Sequence, residues 1–207
     1  MTSPFRVALT FDAEHPDRPH RVGVTSRILS TLATTDVRAS FFLQGRWVES
    51  NRELARDIAL AGHVVGNHSF YHARMPLLSP AGLVADVRAA ERAIVRYAGV
   101  DPRPWFRCPF GAGTHDPAVL AALDRLGYRE TRWDVDAVDW RRGRSGRSMV
   151  RETLAAAVAH GDGAVVLLHA WTTSVDDGLS SLIAGLRDAG ATLVGIDELA
   201  GHGTRAA

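Results

Sequence analysis

The stretch Phe5-Arg-Val-Ala-Leu-Thr-Phe-Asp-Ala-Glu14 joins an apolar run to two acidic residues. The β-branched and aromatic residues between Phe5 and Phe11 are typical of a buried strand, and the acidic residues mark where it ends. Six later runs have the same apolar character and are also predicted to be strands. They are Ala39–Leu43, His63–Gly66, Pro104–Phe106, Tyr128–Val135, Ala164–Leu168 and Thr192–Ile196.

The segments between these runs have the periodicity of helices. Ser79-Pro80 and Asp116-Pro117 are typical helix starts, and glycines stand where the helices are expected to end. Strands that alternate with helices predict an α/β fold with parallel strands, as an open sheet or a barrel. Either form places functional residues at the carboxyl ends of the strands. We predict a single domain over residues 1–207, with a loose tail at 201–207.

The composition excludes several classes of partner. The formal net charge is +1, so no overall field favours nucleic acid or an anionic membrane. The single cysteine, Cys108, rules out an intrachain disulfide and a cysteine-based zinc site. No apolar leader or long apolar segment is recognisable, and a cytoplasmic location is therefore expected.

Two strand ends carry residues that suit a metal site. Asp12 and Glu14 face the same side if the chain stays extended after the first strand. His68 and His72 follow the third strand, and their spacing of four permits chelation from one turn or a tight loop. Taken separately, the acids are equally consistent with a solvated turn and the histidines with a surface pair. Together, two imidazoles and a carboxylate match a recurrent catalytic metal set.

Three further strand ends complete an ordered series of motifs: Arg107-Cys-Pro-Phe-Gly111, Asp139-Trp140 and Leu167-Leu-His169. The series, from Thr10 to His169, resembles that of the polysaccharide deacetylase superfamily, also called the NodB-homology domain or carbohydrate esterase family 4. The resemblance implies a distorted (β/α)7 barrel. It also implies a metal-dependent hydrolase that removes N- or O-acetyl groups from a carbohydrate or a related acetylated substrate.

The resemblance also implies the metal ligands. His68 and His72 match the two histidine ligands of the family. The usual aspartate ligand is replaced by Ala13, which has no donor atom, but some members use the next position, where Glu14 stands. We therefore expect Glu14, His68 and His72 to hold a divalent metal, with zinc the expected ion.

The remaining roles follow from the same motifs, residue by residue. Asp12 is expected to be the catalytic base, Arg107 to hold it, His169 to be the general acid and Asp139 to tune that histidine. The expected substrate-binding residues are Phe110, Trp140 and Leu167, with the Phe110 backbone amide stabilising the oxyanion.

Several alternatives remain open at this stage. With Ala13 in the first motif, the chain could be a metal-independent amidase of the same superfamily or an inactive carbohydrate-binding remnant. The basic residues Arg141, Arg142, Arg144 and Arg147 are interpreted as an exposed loop, with an anion-binding site as the second interpretation. The expected partner is an acetylated sugar or small molecule, and the sequence specifies no oligomeric state.

Overall fold

The structure is a computed structural model that describes residues 4–17 and 21–200. Over these residues the chain forms two compact units. One comprises residues 4–11, 21–40 and 133–200, and we call it the first unit. The second unit comprises residues 12–17 and 41–132. The tail predicted to be loose lies outside the described residues, and the single-domain assignment and the location in the cell stay predictions.

The first unit contains strands in the order β8-β1-β7-β6. The pairs β1–β8 and β6–β7 are parallel, with Phe5 opposite Ala191 and Asp136 opposite Leu167. The last two residues of β1 belong to the second unit. The elements are β1 (Phe5–Ala13), α1 (Val24–Thr34), β6 (Val135–Asp136), α6 (Gly146–His160), β7 (Ala164–His169), α7 (Thr173–Asp188), β8 (Ala191–Val194) and α8 (Ile196–Ala200).

The second unit contains strands in the order β5-β4-β3-β2. The β3–β4 and β4–β5 pairs are parallel, as expected for strands joined through helices. The elements are β2 (Ser40–Leu43, of which Ser40 belongs to the first unit), α2 (Gly45–Ser50), α3 (Arg52–Leu60), β3 (Val64–Asn67), α4 (Pro80–Tyr97), β4 (Trp105–Phe106), α5 (Pro117–Arg125) and β5 (Arg129–Glu130). Short 3₁₀ turns cover Met75–Leu77 and Pro109–Gly111.

The predicted helix starts are confirmed by their cap geometry. The Ser79 hydroxyl accepts from Gly82 N and the Asp116 carboxylate accepts from Ala118 N, so each satisfies a helix amide that would otherwise lack a partner. The predicted stop at Gly161 is also confirmed, because its φ of 83° is a conformation that glycine adopts without a Cβ clash.

The strand predicted over Tyr128–Val135 is wrong as a single element. The structure has two short strands there, β5 and β6, one in each unit. Between them the carbonyl oxygens of Thr131 and Arg132 accept hydrogen bonds from the Arg107 guanidinium, at 3.1 and 3.5 Å. These carbonyls therefore bind a side chain, and the strand is interrupted where they do so.

Side chains on both faces of β2 and of β7 are buried. Phe41, Phe42 and Leu43 of β2 are fully buried, as are Val166 and Leu168 of β7. Burial of each such side chain contributes about 1.5–3 kcal/mol to folding. The polar residues discussed below follow the ends of these buried strands. Among the described residues, no helix combines the length and apolar character that a membrane span requires.

Candidate functional site

Asp12 and Glu14 are both buried at the end of β1, each with 4% of its surface exposed. Ala13 lies between them on the extended strand, and its carbonyl accepts a hydrogen bond from Gln44 N at 3.0 Å. Buried carboxylates are costly unless they are paired or bound to a metal. The two acids therefore do not form the solvated turn that the sequence left open.

Glu14 lies against His68 and His72, and we call these three residues the metal-ligand cluster. Oε2 of Glu14 pairs with His72 Nε2 and lies 3.3 Å from His68 Nε2. The two Nε2 atoms are 3.1 Å apart. One ligand atom from each of the three residues falls within a mutual distance of 4.8 Å. All three side chains are buried, so the surface-pair interpretation of the histidines is wrong.

The loop that carries the histidines is held by its own polar side chains and by one from α4. Asn67 Oδ1 accepts from Ser69 N, and the Ser69 hydroxyl accepts from His72 N. Asp86 of α4 accepts from the amides of Phe70 and Tyr71. Ser69 and His72 adopt positive φ values of 61° and 59°, so the segment is a tight loop and not a helical turn. Asn67 and Asp86 were missed by the sequence interpretation.

The cluster fits a divalent metal. His68 Nδ1 lies 2.9 Å from the Arg107 carbonyl oxygen, which only accepts, so in the neutral ring Nδ1 carries the proton and Nε2 keeps its lone pair. Burial by itself would raise the pKa of Glu14, but hydrogen bonds from His15, His68 and His72 hold this pKa well below its ordinary value. An ionised carboxylate and two imidazole nitrogens at one point are the donor set that zinc prefers.

The pKa values of the two histidines shift in opposite directions. Burial lowers the pKa of His72 and outweighs its attraction to Glu14. Burial also opposes protonation of His68, but the negative charges of Asp12 and Glu14 raise its pKa overall. Burial therefore favours the neutral form of His72, whereas the neighbouring carboxylates favour the protonated form of His68.

His15 also contacts the metal-ligand cluster, and the sequence interpretation did not identify it. Its Nε2 lies 2.9 Å from Oε1 of Glu14, the carboxylate oxygen that does not contact His72. Its ring also meets the His72 ring edge-on, with centroids 4.7 Å apart. The only signal in the sequence was its position next to Glu14. His15 orients the carboxylate, because each Glu14 oxygen then has an imidazole partner.

Asp12 is held by Arg107. Nη1 of Arg107 donates to Oδ1 of Asp12 at 2.8 Å, and the guanidinium lies 4.0 Å from the centre of the Phe42 ring. Arg107 is fully buried, which is tolerated because a carboxylate and two carbonyls accept from it. Oδ2 of Asp12 lies 3.5 Å from His68 Nε2, so this oxygen faces the metal-ligand cluster.

The loop after β4 brings Phe110 to the same cluster. Phe110 has a φ of 57° and 53% of its surface exposed, and its ring lies 4.4 Å from the ring of His72. Glu130 supports this loop by accepting from Cys108 N at 3.0 Å. Burial raises the pKa of Glu130, and burial likewise raises the pKa of the Cys108 thiol. Cys108 is therefore a neutral core residue, and Glu130 is a support that the sequence interpretation missed.

The first unit carries a separate pair, Asp139 and His169, which we call the His169 dyad. Oδ1 of Asp139 lies 2.8 Å from His169 Nδ1, and Oδ2 accepts from the His169 backbone amide at 2.9 Å. The Thr172 hydroxyl donates to Oδ2 at 2.6 Å. Asp139 therefore fixes the proton of His169 on Nδ1 when the imidazole is neutral. Thr172, three residues after the histidine, was not identified from the sequence.

The other predicted substrate-binding residues differ in exposure. Trp140 has 52% of its surface exposed, whereas Leu167 is buried in β7 with 4% exposed. Leu167 lies opposite Asp136 in the β6–β7 pair, and its low exposure places its side chain in the core. Binding of substrate by Phe110, Trp140 and Leu167 stays a prediction.

Comparison with known proteins gives the relatives of this chain. It is 32% identical over 173 residues to the uncharacterized protein YlxY of Bacillus subtilis, a match that covers 84% of this chain and 52% of YlxY. The chain thus spans about half the length of that relative. It is 36% identical over 164 residues to a chitooligosaccharide deacetylase of Bradyrhizobium, covering 79% of this chain and 69% of that enzyme.

A solved structure and a family model agree with these matches. A mutant of BA3943 from Bacillus anthracis, a carbohydrate esterase family 4 pseudoenzyme with restored enzymatic activity, superposes with a TM-score of 0.83 at 31% identity. The match covers 95% of this chain and 67% of that one, and it confirms the predicted NodB-like α/β fold. The model of the polysaccharide deacetylase family matches residues 1–131. This chain belongs to the polysaccharide deacetylase family, carbohydrate esterase family 4.

Proposed function

We propose that the chain is a metal-dependent deacetylase that removes an acetyl group from an amino sugar by hydrolysis. The observation that carries the proposal is the metal-ligand cluster, in which three buried donor atoms converge beside an arginine-bound aspartate. The name of the Bradyrhizobium relative, a chitooligosaccharide deacetylase, supports an acetylated carbohydrate as substrate. Zinc is the ion that we propose, because the donors are two imidazoles and one carboxylate.

The residues of the second unit would bind the cation and activate water. Glu14, His68 and His72 would hold the cation, which supplies Lewis acidity toward the acyl oxygen and the nucleophilic water when it is bound. Asp12 would accept a proton from the attacking water at Oδ2, because its Oδ1 is occupied by Arg107. Arg107 is therefore a positioning residue, which holds the base in one orientation.

The His169 dyad would supply the proton for the leaving group. Nδ1 of His169 is bound to Asp139, so Nε2 is the atom that can donate to the departing amine or alcohol. The Thr172 hydroxyl and the His169 amide hold the other Asp139 oxygen. Asp139 is thus fixed at three points and keeps the imidazole in one orientation.

Two other candidates make different use of these residues. A metal-independent amidase would need none of the metal-ligand cluster. An inactive carbohydrate-binding remnant is also considered, because the BA3943 structure comes from a pseudoenzyme of this family. Against a remnant, Asp12, Arg107, Asp139 and His169 are all retained and hydrogen-bonded. Sugar binding alone does not require that set for proton transfer.

The experiment that tests the proposal compares wild-type protein with Glu14→Ala. We expect about one zinc per wild-type chain by elemental analysis, and loss of the metal in the variant, because a third of the donor set is gone. Hydrolysis of an acetylated chitooligosaccharide should fall at least about a thousandfold, since metal activation is worth several kcal/mol. Glu49→Ala, which removes an exposed carboxylate, is the matched control.

Each outcome selects one candidate. Metal and activity that are lost together in Glu14→Ala, but retained in Glu49→Ala, would support the proposal. Wild-type protein that is active without metal would favour the metal-independent amidase. Folded wild-type protein with sugar binding but neither metal nor turnover would favour the inactive remnant, and circular dichroism would establish that each variant is folded.

A further inference from the structure

A cavity of about 440 Å³ lies in the first unit, next to the His169 dyad. Its walls come from the loop after β6, from the start of α7 and from Arg21. The loop contributes Trp140 and three arginines, and the start of α7 contributes Trp171 together with Thr172 and Thr173. The cavity thus combines aromatic surface with an unusual number of guanidinium groups.

The arginines of the cavity differ in their partners. Arg21 lies 3.2 Å from an oxygen of Asp177, and Arg144 pairs with Glu152, so both are neutralised. Arg141 and Arg142 are exposed and have no carboxylate within ion-pair distance anywhere in residues 4–17 and 21–200. Two positive charges without partners therefore line the cavity.

Asp139 also lines the cavity, but its carboxylate does not pair with these arginines. Its side chain is fully buried, and its two oxygens accept three hydrogen bonds from His169 and Thr172. Because the Thr172 hydroxyl is used in this way, α7 begins without a side-chain cap. The charged side chains that line the cavity and remain without a carboxylate partner in the described residues are therefore the two guanidinium groups of Arg141 and Arg142, which suits an anionic ligand.

The aromatic side chains suit a sugar ring. Trp140 is half exposed, and the Trp171 ring meets the His169 ring edge-on with centroids 5.7 Å apart. Indole faces pack against the C–H faces of sugars, and their position beside His169 would bring such a ring close to the proposed proton donor. The cavity is therefore part of the surroundings of His169 and not a remote surface feature.

We propose that Arg141 and Arg142 bind a carboxylate on the acetylated sugar, which makes an acidic acetylated sugar the preferred substrate class. This inference rests on the proposed deacetylase function and specifies its substrate. A planar guanidinium matches a carboxylate with two parallel hydrogen bonds, and two adjacent arginines without partners can share one such group. The sequence alone favoured an exposed basic loop, and the cavity with its tryptophan walls changes that interpretation.

The test compares two substrates of equal length, an oligosaccharide that contains N-acetylmuramic acid, which carries a carboxylate, and a neutral chitooligosaccharide. We expect wild-type protein to prefer the acidic substrate in kcat/KM. In the double variant Arg141→Gln/Arg142→Gln, the ratio of kcat/KM for the acidic substrate to kcat/KM for the neutral one should fall at least about tenfold, as expected for charge-assisted hydrogen bonds. Arg147→Gln, an exposed arginine that does not line the cavity, is the matched control with preference unchanged.

A binding measurement separates this inference from the proposed function. Calorimetry with the same two sugars gives the ratio of their dissociation constants without any turnover. If neither sugar is hydrolysed, the proposed function fails, but a preference in binding that falls about tenfold in the double variant would still support the carboxylate site. An unchanged ratio in the double variant, or an equal loss in Arg147→Gln, would overturn the inference.

Discussion

The metal-ligand cluster and the His169 dyad each bury histidine against a carboxylate, yet they present opposite chemistry. In the cluster, the Nε2 atoms of His68 and His72 converge on Glu14, and His68 Nδ1 is occupied by a backbone carbonyl. In the dyad, Oδ1 of Asp139 lies against Nδ1 of His169. The Nδ1 partner differs between His68 and His169, and only in the cluster do Nε2 atoms converge on one carboxylate, which separates the proposed metal ligands from the proposed proton donor.

The comparison also shows how each carboxylate is controlled. Glu14 contacts the imidazoles of His15, His68 and His72, which suits a residue that shares a cation with its neighbours. Asp139 is fixed by a hydroxyl, an amide and one imidazole, which suits a residue that orients a single ring. Predictions that separate the two regions follow from these differences.

The largest expected effect distinguishes the histidines by metal content. His68→Ala should lose bound metal and reduce deacetylation at least about a thousandfold, because one of three ligands is removed. His169→Ala should retain the metal and reduce kcat about 10²–10⁴-fold, the contribution typical of a general acid. Elemental analysis and steady-state kinetics on the same preparations give both quantities.

His115→Ala is the control for that pair, because this histidine is exposed and has no assigned role. It should change neither metal content nor kcat. Metal loss in His169→Ala, or metal retained in His68→Ala, would show that the assignment of the two regions is wrong.

A smaller effect is expected when the orienting carboxylate of the dyad is changed. Asp139→Asn should lower kcat about 10–100-fold while KM changes little, because an amide nitrogen placed against His169 would disturb the position of its proton. Metal content should not change. Asp188→Asn makes the same replacement on the exposed surface and should have no effect. A purely structural role for Asp139 would instead appear as a lower Tm with kcat unchanged in the folded fraction.

The smallest effect concerns the support beneath Arg107 and Phe110. Burial raises the pKa of Glu130 in the folded protein above its value in the unfolded chain, so the folded state binds more protons between these two values. The contribution of Glu130 to the free energy of unfolding must therefore fall as pH rises through that interval. Glu130→Gln lacks this loss, and its stability relative to wild type should increase with pH.

Urea denaturation of Glu130→Gln and wild type across the mildly acidic range measures that trend. Glu49→Gln, an exposed glutamate, is the control and should show no change in relative stability with pH. A difference between Glu130→Gln and wild type that is independent of pH would mean that burial does not perturb this carboxyl group.

Much of the fold and the candidate site could be predicted from local patterns. The alternation of apolar runs and helical segments predicted the α/β fold, and the helix caps at Ser79 and Asp116 were recognisable because capping depends on neighbouring residues. The ends of strands pointed to Asp12, Glu14, His68 and His169. In contrast, the strand predicted over Tyr128–Val135 was wrong, because a guanidinium from another segment occupies its carbonyl groups.

Outside Tyr128–Val135, the sequence by itself determined roughly where the strands end and which polar residues follow them, since both depend on short-range hydrophobic periodicity and spacing. Only the tertiary structure decided the partners of those residues. Arg107 and Asp12 are 95 positions apart, and His169 and Asp139 are 30 apart. Hydrogen bonds and cavities depend on distances in space that no local pattern encodes. For that reason, the orienting contact of His15, the hydroxyl of Thr172 and the arginine-lined cavity emerged only from the folded chain.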